Sequence, residues 1–127
     1  MRASSLTVRT IADGTVVVRL PRVVGLEMAV DLRQALVRIV RKDAPLRLVV
    51  DLGAVSDLDP INLGTLAAAC SLGDDHRVIV FLDRASAIIA AQLKAAGVPP
   101  QRLRWVRGGQ SAPVVAAVTA WSVGRSP

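Results

Sequence analysis

At 127 residues and 13.4 kDa the chain is one domain's worth, long enough to bury a single core without disulfide or metal staples. With 52% hydrophobic and 20% charged residues it falls outside the disordered and acidic solvating classes, and its longest weakly polar runs, 63–72 and 112–121, are too short to span a bilayer. A net charge of +6 raises nucleic acid as a partner, but the basic residues are dispersed and aromatics are only 2%, so the charge reads as solvated surface.

Asp13-Gly14 separates two β-branched runs, 6–11 and 15–20, and predicts a hairpin, because both turn residues can take positive φ. Pro21 ends the second strand, because it cannot donate to a ladder. Over 26–41 the period changes to that of a helix. Glu27, Asp31, Gln34, Arg38 and Arg41 share a solvated face; Leu26, Ala29, Val30, Leu36, Val37 and Val40 fill the opposite one, with Arg33 the misfit. The runs 46–52 and 78–82 are short and nearly all apolar, as central strands covered by helices are. Between them Asp59-Pro60 predicts a helix start before the alanine-rich stretch 62–71, with Asp as N-cap and Pro at the first helical position. A third helix over 85–96 ends at Gly97, before Pro99-Pro100. A last strand over 103–106 and a last helix, opened by Ser111 and Pro113 and reaching Trp121, complete the order.

The order is ββαβαβαβα, with about four helices. Alternation after an opening hairpin implies one α/β domain with a mixed, mostly parallel sheet and right-handed crossovers, spanning 1–121 with a loose tail over 122–127. The amino terminus shows no apolar stretch of the kind that directs secretion, and the single cysteine, Cys70, suits a reducing compartment, so a cytoplasmic location is expected.

The catalytic inventory is short. No phosphate-binding glycine loop, nucleophile elbow or zinc-protease motif is present, and no cofactor or metal is expected. His76 is the only histidine and falls in a loop, while Cys70 reads as a small buried residue of the second helix. Asp51, Asp57, Asp59 and Asp83 all fall at or just past the carboxyl ends of predicted parallel strands, the edge where open α/β sheets bind ligands. A Mg²⁺-dependent phosphoreceiver would use such a cluster. The plainer reading makes Asp59 a helix cap and the others turn residues.

The segment 48–66, in which Asp51-Leu52-Gly53-Ala54-Val55 leads to Asp59-Pro60-Ile61-Asn62-Leu63-Gly64, resembles the central block of the STAS domain. There a strand ending in D-L-S-x-V runs on to D-S-S-G-L-G at the start of the second helix. The hairpin, the first helix, the strand around Phe81 and the segment 93–98 sit where that family has them. The resemblance implies a non-enzymatic interaction domain: an anti-sigma factor antagonist that binds an anti-sigma factor of kinase-like ATPase fold, with no nucleic-acid or membrane partner and with self-association allowed. It places the contact surface at Asp57, Asp59, Pro60, Ile61, Asn62 and Thr65. In typical members a serine at this helix start is phosphorylated, and the added charge expels the partner.

This sequence departs at the decisive positions. Pro60 and Ile61 stand where the family has its two serines, and neither can accept a phosphate; Asn62 replaces its glycine. The expected domain is therefore non-phosphorylatable at that site, with Ser56, Thr65 and Ser71 the nearest hydroxyls. The alternative that needs no phosphosite is a STAS-like structural subunit clamping the ATPase of a lipid-transport complex.

Overall fold

The computed structural model describes residues 6–108. Strands β1 (Thr7–Thr10), β2 (Val16–Arg19), β4 (Arg47–Asp51), β6 (Ile79–Asp83) and β7 (Leu103–Arg104) form one sheet in the order β1-β2-β4-β6-β7. Only β1 is antiparallel to its neighbour, so the sheet is mixed and mostly parallel, as the alternation implied. The helices are α1 (Ala29–Arg38), α2 (Pro60–Asp75) and α3 (Ala87–Ala95). The expected fourth helix and the tail over 122–127 lie outside the described residues.

The hairpin expected at Asp13-Gly14 is present, with only one of the two residues left-handed. Gly14 takes φ +88°, but Asp13 does not enter the left-handed region, and the Gly14 amide donates to the Ile11 carbonyl at 2.9 Å. The loop is thus a type I turn followed by a left-handed glycine, the common three-residue connection. Asp13 instead uses its side chain: it accepts from the Thr15 amide at 2.9 Å and pairs with Arg47 at 2.8 Å. These bonds, that from Thr15 first, hold its carboxyl below the usual range.

Pleat alternation gives the sheet two faces. Val16, Val18, Leu48, Val50, Val80 and Leu82 form the buried floor of the core, to which α1 adds Leu32 and Leu36, α2 adds Leu66 and Ala69, and α3 adds Ile89 and Leu93. On the other face the Arg104 guanidinium lies 3.9 Å from the centre of the Phe81 ring and grips Asp83 through two 2.8 Å bonds. The first helix is phased differently from the simple 3.6-residue reading. A 3₁₀ turn (Leu26–Met28) precedes it and a π turn (Ile39–Asp43) follows it; Leu26 and Val30 face solvent at 58% and 55% exposure, and the buried stripe is Leu32, Leu36, Ile39 and Val40, at ordinary helical spacing but in a different phase.

One close approach fixes how α2 returns to the sheet. Gly73 is buried, and a Cβ there would lie 2.5 Å from the Val78 carbonyl oxygen and 2.7 Å from a Val80 methyl. Gly73→Ala is therefore expected to lower stability by about 1–3 kcal/mol despite alanine's better helix propensity, because the atom it meets is backbone. Urea denaturation of the variant beside the wild-type protein measures the loss.

Candidate functional site

The start of α2 is built by two segments far apart in sequence. Asp59 lies in extended backbone at the N-cap; its Oδ1 accepts the Ile61 amide at 2.9 Å, and Pro60 occupies the first helical position, where it has no amide to leave unpaired. The Asp-Pro helix start expected from sequence is present. Ahead of it, β5 (Asp57–Leu58) pairs in parallel with β3 (Val23–Val24), in the register Val23↔Asp57 and Val24↔Leu58. This ribbon was not legible in the sequence. It continues on both sides: the Ser56 amide donates to the Arg22 carbonyl at 2.8 Å and the Asp59 amide to the Val24 carbonyl at 2.9 Å.

Asn62 closes the structure. Its side chain is fully buried, and Nδ2 donates to the Val24 carbonyl at 3.1 Å and the Gly25 carbonyl at 2.9 Å. The orientation of the amide follows from those two acceptors, since only the NH₂ end can donate. Among the described residues Oδ1 has no hydrogen-bond partner. Asn62 was expected among the residues that meet a partner; buried as it is, it acts from beneath, locking the approach to α1 onto the start of α2.

The remaining residues of the expected contact surface do reach the outside. Asp57, Pro60 and Ile61 are exposed, Ile61 at 55%, and Asp59 and Thr65 are half-buried. An isoleucine half out of the protein on a helix's first turn, beside a rigid proline, is an apolar projection on a preorganised base. Ser56 is exposed too, its hydroxyl 3.3 Å from the Arg22 carbonyl.

Three of the four carboxylates at the strand ends are committed elsewhere, and Asp57 is exposed. Arg84 grips Asp51 with contacts of 2.8 and 2.9 Å, and Asp51 also accepts the Gly53 amide at 2.9 Å. Burial alone would raise the Asp51 carboxyl; the Arg84 bonds, the Gly53 amide and the nearby Arg19 charge together hold it below the usual value. Asp83 is held by Arg104, and Asp59 caps α2. The cap reading of Asp59 stands; Asp51 is both a turn residue, accepting the Gly53 amide just past β4, and an ion-pair anchor, while Asp83 is an ion-pair anchor. No group of three His, Cys, Asp or Glu side chains able to hold a metal occurs among the described residues. Cys70 is buried, and that burial pushes its thiol up to about 11, well away from the thiolate range. His76 caps the end of α2, with Nδ1 3.0 Å from the Leu72 carbonyl. Among the described residues no helix is long and apolar enough to cross a membrane.

Comparison of the fold with solved structures finds several that superpose on it. The Bacillus cell-fate determinant SpoIIAA in its phosphorylated form superposes with a TM-score of 0.67 at 13% identity, over 80% of this chain and 92% of that one. The anti-sigma factor antagonist SpoIIAA in its unphosphorylated form gives 0.68 at 14% identity, over 80% and 89%. A Ser-to-Glu variant of Moorella thermoacetica RsbS gives 0.68 at 17% identity, over 81% and 87%. No family model matches the sequence, and no curated protein is significantly similar to it. The chain has the STAS fold, the fold of these anti-sigma factor antagonists.

Proposed function

We propose that this domain is a non-enzymatic interaction module of the antagonist type, which binds an anti-sigma factor of kinase-like ATPase fold through the start of α2 and lacks the usual serine switch. The observation that supports it most is the pairing of an intact, capped helix start with an exposed Ile61 where the resemblance puts a phosphorylatable serine. A helix N-terminus stabilises added phosphate, so the backbone setting for a switch is present while the acceptor hydroxyl is not. In the absence of the switch, occupancy of the partner is set by abundance, a ligand or competition rather than by phosphate. Asp57 and Asp59 frame the apolar contact, and Thr65 lies one turn further along α2.

The test restores the missing hydroxyls. Incubated with its kinase-fold partner and labelled ATP, the wild-type domain is expected to take no phosphate at the start of α2. Pro60→Ser combined with Ile61→Ser is expected to take it there. A double variant that binds the same partner and stays unmodified contradicts the reading.

A further inference from the structure

The shallow groove between α1 and α2 has a volume of about 710 Å³. Along α2 it runs from Pro60 and Ile61 past Gly64 and Ala68 to Leu72, so it follows nearly the whole of a 16-residue helix, about 24 Å. Its floor is apolar and its α2 wall is low, because Gly64 and Ala68 carry little or no side chain. The α1 wall is cationic. Arg33 and Arg41 line it two turns apart with Val37 between them, and Arg38 and Lys42 stand in the row behind. None of these four has an ion-pair partner among the described residues, whereas Arg47, Arg84, Arg102 and Arg104 each hold a carboxylate. The one acidic side chain in the groove is Asp75, at its far end. The α1 wall ends in the π turn, a rare helical form that concentrates at functional positions.

We infer that this groove receives an amphipathic helix of a partner protein, its apolar face on the floor and an acidic flank against Arg33 and Arg41. Charge decides between this occupant and the others. Residues 109–127 of this chain are apolar enough to lie there but contain no acidic side chain, and their single charge is Arg125. A second copy is no better suited: α3 carries Lys94 and no acid, α2 has acids only at Asp74 and Asp75, and α1 has Asp31 alone. A groove that is apolar below and positive on one wall fits the helix-in-groove mode with complementary charge. The inference rests on the interaction-module reading for the existence of a partner; the groove extends the surface that begins at Ile61.

The experiment uses the full chain and two labelled 16-residue amphipathic helical peptides with the same leucine face, one flanked by glutamate and the other by lysine. Fluorescence anisotropy at low salt is expected to show the glutamate peptide binding about tenfold more tightly, with the difference shrinking at high salt. Arg33→Glu with Arg41→Glu should reverse the preference. Arg9→Glu with Lys94→Glu, which removes the same charge elsewhere, should keep it. Equal binding of both peptides, no binding of either, or the same response from both double variants would overturn the inference. A kinase-fold partner that needs Ile61 but ignores Arg33→Glu/Arg41→Glu would overturn the groove alone and leave the reading of the α2 start intact. Peptide selectivity without any anti-sigma partner would do the opposite.

Discussion

Asn62→Asp is expected to remove about 4 kcal/mol of stability at neutral pH and to lower the melting midpoint by on the order of 10 °C or more. The change is isosteric, so volume does not enter. What changes is polarity at a buried point: an NH₂ that donates to the Val24 and Gly25 carbonyls at 3.1 and 2.9 Å becomes an oxygen facing two oxygens. With the side chain fully buried, the carboxylate has no water to fall back on, and the acid stays protonated well above its ordinary range. The sign of the pH dependence follows. A folded-state pKa raised above the unfolded value of about 3.9 leaves the penalty absent below that value; the penalty grows as pH rises from there to the folded pKa. The deficit relative to the wild-type protein should therefore shrink as pH falls from 7.5 to 4.5. Urea titrations at the two pH values check this. A midpoint equal to wild type at pH 7.5, or a deficit that ignores pH, would mean that Asn62 does not clamp the two segments.

Ile61→Asp is expected to do the reverse, leaving the fold in place and abolishing the interaction. Ile61 is 55% exposed, so little apolar burial is given up. A carboxylate in the first turn of α2 recovers about 0.3–1 kcal/mol from the helix dipole. The melting midpoint should stay within a few degrees of wild type. At an interface, however, an apolar anchor replaced by a charge must be desolvated without a partner, and a weakening of roughly 100-fold, or about 2.7 kcal/mol, is the expected scale. Titration calorimetry against the partner and a melting curve of the same sample separate the two effects. Ile61→Val, which keeps the apolar projection, should bind nearly as well as wild type.

How much of this was legible beforehand differs from element to element, for physical reasons. The central strands announced themselves because they are buried and almost wholly apolar, and the start of α2 did so because Asp-Pro combines a side-chain acceptor with a residue that needs no amide partner. The β3–β5 ribbon did not. Each strand has two residues, too few for any period, and exists only because tertiary packing brings 23–24 beside 57–58. The buried stripe of α1 differs from the expected one because apolar residues stand on both sides of the helix, Leu26 and Val30 outside and Leu32 and Ile39 inside, so the pattern fits more than one phase; Arg33, the misfit in the expected phase, stands on the groove wall. Asp51 and Asp83 looked like a cluster because sequence shows where strand ends converge. It does not show that arginines 33 and 21 residues further along reach back to them. Asn62 is the clearest case. In the sequence it is only a departure from a family glycine; the two carbonyls that give it a role belong to a segment 37 and 38 residues earlier.

The central claim is that the start of α2 binds a kinase-fold anti-sigma factor through Ile61. The measurement that reaches it most directly is affinity capture from the host's lysate at moderate salt, with wild-type and Ile61→Asp baits in parallel and mass spectrometry of both eluates. A kinase-fold anti-sigma factor in the wild-type eluate and missing from the Ile61→Asp eluate is the predicted result. A transport ATPase in its place, or the same proteins on both baits, would contradict it.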